Sequence, residues 1–184
     1  NDISDKPSIA VLPFENLSND PEQEYFSDGI TEDIITALSR IRQLFVIARN
    51  TTFVYKGQVS DMHSLAQDLG VRYILEGSVR KSGTRVRITA QLVDGESGVQ
   101  IWAEKYDREL EDIFIVQDEI TQLVVGTLGP TVTKAEMERA RKKPTQNLDA
   151  WEIYQQGLYH LNRRSVEDLD KSEELFLQAI ELSP

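Results

Sequence analysis

Three carboxylates, Asp28, Glu32 and Asp33, lie close together near the start of a long amphipathic segment. Paired carboxylates do acid–base work or hold a hard cation. Near a helix N-terminus they also stabilise the helix through its dipole without any activity, and that structural reading is preferred here. His63 and His160 are the only two histidines. They are far apart and have no nearby H-x-x-E or H-x-x-x-H partner, so they read as surface or packing residues rather than metal ligands. Trp102 and Tyr106 occupy alternate positions of a strand and could stack on a ligand, although core or interface packing is the simpler role.

Other chemistries are missing from the pattern. The chain has no cysteine, which removes disulfides, thiolate catalysis and Cys-ligated zinc together. No G-x-G-x-x-G or G-x-x-x-x-G-K-[ST] spacing cradles a phosphate, and no G-x-S-x-G surrounds a serine. Neither a catalytic residue nor a bound metal or cofactor is expected. The formal net charge is −11, from 31 acidic against 20 basic residues. That balance opposes the many cationic contacts that sequence-independent nucleic-acid binding requires.

The elements that would position these residues follow from periodicity. From Val71 to Asp107, apolar and polar side chains alternate in three runs broken at Lys81-Ser82-Gly83-Thr84 and Asp94–Gly98. A period of two with Gly-bearing turns predicts a three-stranded antiparallel meander. Its solvent face would carry Arg72, Arg80, Arg85 and Arg87, with Glu76 and Glu104. Ser8–Phe14 and Leu44–Ala48 read as short buried strands. Asp20-Pro21-Glu22-Gln23 resembles a capping box opening a helix that runs to about Ile41. Asp61–Gly70 is a second helix, capped by Ser60 or Asp61 and closed by Gly70. Arg49–Gly57 stays open between an irregular segment and a short strand. Apolar spacing from Ile113 to Leu128 marks a third helix, which Gly126 and Gly129-Pro130 should end or kink. A more polar continuation reaches Lys143, whose basic end suits a helix C-terminus. The order β-α-β-α-β-β-β-α makes an α/β two-layer sandwich of a mixed sheet.

After a linker at Pro144–Asn147, two helices are expected at about Leu148–Asn162 and Val166–Leu182. Gly157, Phe176, Ala179 and Pro184 fall where one tetratricopeptide-type repeat places them, while Ser172 replaces the usual small Ala. The domain division is therefore 1–143 and 144–184, the second a helical hairpin of a longer array. One repeat cannot bury its own face, so the native chain is expected to continue past Pro184. The open side would present Trp151, Tyr154, Leu158, Phe176 and Ile180 to protein partners, including a second copy of the chain.

Four stretches, Ser8–Phe14, Tyr25–Ile34, Leu69–Ser78 and Val86–Leu92, resemble the TolB amino-terminal-like domain of bacterial signalling proteins. The similarity covers roughly Lys6 to Lys143. The resemblance implies a two-layer α/β module that follows a class III adenylate or guanylate cyclase domain, or a winged-helix domain as in CadC-type regulators, and precedes tetratricopeptide repeats. None of the cyclase's metal-binding aspartates has a counterpart in this sequence. The implied function is a non-enzymatic regulatory or interaction module, with a small-molecule sensor as the alternative. A cytoplasmic location is expected, or a periplasmic one downstream of a membrane span. No membrane span is expected within the chain itself.

Overall fold

The computed structural model describes residues 6–58, 61–142 and 150–182. They divide into two compact units, Pro7–Thr127 and the residues from Leu128 onward, and the division falls inside one long helix. The expected linker at Pro144–Asn147 lies outside the described residues, as do Ser60 and Pro184.

The first unit is built on a sheet that begins with β1, Ser8–Val11. Ile9, Ala10 and Val11 are fully buried, as expected of a central strand in a parallel pairing. β1 lies parallel to β3, Phe45–Val46, on one side and to β4, Tyr73–Ser82, on the other. β2, Glu15–Asn16, also pairs parallel with the far end of β4. β5, Arg85–Asp94, and β6, Gln100–Glu109, continue antiparallel, so the order is β3-β1-β4-β5-β6. The expected meander is present, and its last strand is an edge.

Helices cover this open sheet. α1, Gln23–Leu38, turns Phe26, Ile30, Ile34 and Leu38 inward at four-residue steps, and all four are fully buried. α3, Met62–Leu69, packs Leu65 and Ala66 against Ala10, Leu12 and Ile74. Those strand residues alternate with Ile9, Val11 and Leu75, so α3 takes the opposite face of the sheet. Asp61 caps α3 by accepting from the Ser64 amide, and Gly70 ends it with φ 66°, a left-handed position that glycine adopts without a Cβ penalty. Gly77 has a different reason: a Cβ there would overlap the Thr89 carbonyl and the Phe14 ring.

Several expectations need correction. Leu44–Ala48 is not a buried strand. Only Phe45–Val46 pair, and Phe45 is 39% exposed, because β3 is the other edge and has a single neighbour. Arg49–Gly57 is neither strand nor irregular: α2, Arg49–Thr52, leads into a 3-10 turn at Phe53–Tyr55, with the Arg49 guanidinium 4.2 Å from the Phe53 ring centre. α1 stops at Leu38, short of Ile41. At its start Asp20 accepts from the Glu22 amide and from the Gln23 side chain, so it caps a preliminary turn and not the α-helix proper. α4, Ile113–Arg141, does not end at Gly129-Pro130. The donor missing at Pro130 is one local loss within a helix of 29 residues. Glu104 pairs with Ala90 in register, so it lies on the side of Ile88 and Leu92 and not on that of Arg87, yet at the sheet edge it stays exposed.

In the second unit, α5, Ala150–Arg163, and α6, Val166–Leu182, form a tightly packed pair around Ile153, Leu175 and Ala179. Ser172 is buried and donates its hydroxyl to the Leu169 carbonyl, which lets a polar residue stand at a small, packed position.

Candidate functional sites

The structure does not bring Asp28, Glu32 and Asp33 together. Both Asp28 oxygens accept from Lys56 at 2.8 Å, and Glu24 meets the same ammonium at 3.0 Å. Burial lowers Lys56, but the Asp28 and Glu24 carboxylates outweigh it and hold the ammonium above its usual range. Glu24 is correspondingly depressed, chiefly by its bond to Lys56. Glu32 lies 3.7 Å from Arg49. Asp33 is pushed up by partial burial first, then by Asp118 and Glu32. The trio therefore divides its work: two members tie α1 to the α2 turn region, and the third faces another carboxylate. Among the described residues no group of His, Cys, Asp and Glu could hold a metal ion.

A Ser-His-Asp set does exist, and the sequence alone did not reveal it. His160 Nδ1 lies 2.7 Å from Asp168 Oδ1, and the Ser165 hydroxyl donates to Asp168 Oδ2 at 2.6 Å. Catalysis by such a set requires the serine to reach the imidazole; here both groups bind the same carboxylate instead. Asp168 returns its amide to Ser165 Oγ, so the arrangement is a reciprocal cap at the start of α6. Its carboxyl is held low, first by Ser165 and then by His160. His63 is structural as well. Its Nδ1 sits 2.9 Å from the Gly95 carbonyl, which can only accept, so Nδ1 carries the proton and Nε2 accepts from Gln67.

Trp102 and Tyr106 pair with Leu92 and Ile88 on the covered face, and burial pushes the Tyr106 phenol up. Tyr106 is buried there and Trp102 half-buried. On the opposite face Arg80 stands directly across from Arg87, which chelates Asp107 at 2.7 and 3.1 Å. Arg85 lies 3.7 Å from Glu109, so two of the expected arginines are engaged with carboxylates of the neighbouring strand.

On the helical pair, Trp151, Tyr154 and Phe176 form a ladder of tilted rings with centroids 5.6 Å apart at each step. Tyr154 is 37% exposed and Ile180 60%, whereas Leu158 is half-buried. Leu169, expected from the sequence among the apolar residues of this helix, is exposed, and sequence reasoning missed Val166 and Leu177, which continue the exposed apolar side of α6. Their spacing from Ile180 carries that signal. It also missed Glu136 and Glu152, both buried, with the Trp151 indole donating to Glu136 at 3.3 Å. An open groove of about 570 Å³ lies between α4 and α5, lined by Pro130, Lys134, Met137, Tyr159 and Arg163.

These features define a mixed α/β sheet domain with a helical pair, and among the described residues it carries no metal- or cysteine-based catalytic site. Residues 4–123 match the second domain of the HilA/YgeH-like transcriptional regulators, and the chain belongs to that family. It is also 55% identical over 148 residues, 80% of its length, to "Putative adenylate cyclase 3" of Rhizobium meliloti (strain 1021). The chain spans about a quarter of the length of that relative. Among solved structures it is similar to lipoprotein GNA1162 from Neisseria meningitidis, with 22% identity and a TM-score of 0.49, covering 66% of this chain and 96% of that one. TolB from Acinetobacter baumannii is similar at 22% identity and a TM-score of 0.43, covering 66% and 29%. The cytoplasmic location expected from the sequence finds no support among these similar structures, which include a lipoprotein. Among the described residues no helix is long and apolar enough to cross a membrane.

Proposed function

We propose that this chain is a regulatory protein-interaction module of a longer bacterial signalling protein, of the adenylate or guanylate cyclase type, and that it acts on the periplasmic side. The observation that carries the interaction role is the exposed apolar side of the α5–α6 pair. Tyr154, Leu177 and Ile180 are 37%, 56% and 60% exposed beside a well-packed centre. An apolar face of this kind is completed by another helix, as in tetratricopeptide-type arrays where each hairpin stacks on the next. Trp151, Tyr154, Leu158, Phe176 and Ile180 are the residues assigned to that contact. Where no other helix is present, the chain pairs with itself there. Residues 1–143 and 144–184 are the functional divisions under this reading.

Light scattering on the chain tests the contact. Tyr154→Ala and Ile180→Asp reduce association through this face; a partner interaction indifferent to both removes the proposal. In the longer protein the same substitutions change signalling output while the neighbouring domain stays folded. Cyclic nucleotide formation by the isolated chain would overturn the non-enzymatic reading. A fusion to a periplasm-dependent reporter enzyme tests the location.

The groove beside Tyr159 favours a second reading, a small-molecule sensor. Its volume is in the range of ligand sites, and Arg141 and Arg163 lie 5.3 and 5.7 Å from the Tyr159 ring centre. A thermal-shift screen with nucleotides, sugars and amino acids discriminates, because a specific ligand raises the melting temperature by mass action.

A further inference from the structure

β6 ends the sheet. Nine of its ten residues pair with β5, Ile101 standing at a bulge, and among the described residues no strand pairs with its other side, which leaves a row of backbone donors and acceptors there. Such an edge is a template for another strand, and proteins ordinarily blunt it with charge. Charge is present here, but its order matters. About Tyr106 the sequence reads Glu104, Lys105, Tyr106, Asp107, Arg108. Each charge on one side of the tyrosine meets its opposite at the same distance on the other side.

That antisymmetry has a geometric meaning. Two copies of one strand paired antiparallel about a two-fold axis at Tyr106 set Glu104 opposite Arg108 and Lys105 opposite Asp107. By symmetry each pair occurs twice. Residues directly opposite in an antiparallel pair share a face, and opposite charges there attract while like charges repel. The register is selective as well. Centring the pair on Lys105 sets lysine against lysine, and centring it on Asp107 sets aspartate against aspartate.

The observed environment leaves these groups able to take part. Glu104 and Lys105 are exposed, and no salt bridge of either is found among the described residues. Asp107 is paired with Arg87 of β5, and Arg108 with Glu119 of α4 at 2.8 Å, so each already has one ionic partner within the chain. A carboxylate has lone pairs for a second donor and a guanidinium has further N–H groups.

We propose that the β6 edge is a docking surface for the β6 edge of a second copy of this chain, in the antiparallel register centred on Tyr106. One sheet then runs through both copies. This contact is separate from the helical pair, and it stands whether or not the α5–α6 face associates.

Sedimentation equilibrium tests it, run in the wild-type chain and again in the Ile180→Asp background to remove helix-mediated association. The expected result is a dimer in the Ile180→Asp background, and in the wild type that dimer or, where the helical faces pair as well, a larger assembly built from it. Lys105→Glu places a carboxylate opposite Asp107 twice per dimer and weakens association about tenfold. Glu104→Arg and Arg108→Glu each weaken it alone. Their equimolar mixture restores it, because the new arginine of one variant faces the new glutamate of the other. A monomer at all concentrations in the Ile180→Asp background overturns the proposal. So does a dimer indifferent to Lys105→Glu, a substitution that removes no salt bridge found within the chain and whose fold is checked by circular dichroism. Failure of the mixture to associate, with both variants folded, overturns the register.

Discussion

The ring of Phe176 on α6 lies against the α-carbon of Gly157 on α5, so closely that a β-carbon at 157 would overlap two ring atoms. Two helices approach this way only where one side chain is absent. Gly157→Ala forces the ring aside and loosens the contact around Ile153, Leu175 and Ala179. The expected cost is about 1–3 kcal/mol, the range for overpacking a filled interior. Thermal unfolding followed by near-ultraviolet circular dichroism of the Trp151 and Tyr154 environment measures it.

Thr31 is fully buried on α1, where its hydroxyl accepts from the Phe14 amide at 2.9 Å and donates to the Ser27 carbonyl at 2.9 Å. Thr31→Val keeps the shape and strands a buried amide. About 1–3 kcal/mol of stability should be lost. Denaturant unfolding gives the value, and an unchanged midpoint would mean that the Phe14 amide finds another acceptor.

Lys56 joins the 3-10 turn region to α1 through Asp28 and Glu24. The depressed Glu24 contributes stability above its unfolded value, lost as the pH falls through the folded one. The raised Lys56 contributes below its unfolded value, lost as the pH rises through the folded one. The bond therefore acts across the neutral range and fails at both ends. All three side chains are partly exposed, so Lys56→Met costs at most about 1 kcal/mol near neutrality. Melting temperatures of the variant and wild type, compared across pH, should converge in acid and in strong alkali.

Asp33 carries the opposite sign. Burial and the nearby Asp118 raise its carboxyl, so its charged form opposes folding at neutral pH, and the opposition disappears as the pH falls through the folded value. Asp33→Asn should raise the melting temperature at neutral pH, with a gain that shrinks in acid. A gain that is constant with pH would assign the effect to packing instead.

The meander was legible because alternation over three ten-residue strands is a long signal, and its Gly-bearing turns set the register locally. The α6 limits were equally legible from the 3.6-residue period. β3 was misread because a short apolar run looks the same at a sheet's centre and at its edge. The proline in α4 misled because a missing donor forecasts a break only when nothing else holds the helix. The Ser165–Asp168–His160 cap joins two helices across a turn, and no local pattern announces it.

Residue order alone determined which side chains alternate, which recur by turns, and that cysteine chemistry is absent. It also wrote the charge antisymmetry around Tyr106. Only the tertiary structure decided that β6 is an edge, that Glu24, Asp28 and Glu32 meet cations while Asp33 meets a carboxylate, and that Gly157 makes room for Phe176. Periodicity is a property of neighbours in the chain. Edges, ion pairs and close approaches arise between segments distant in sequence, and folding is what brings those together.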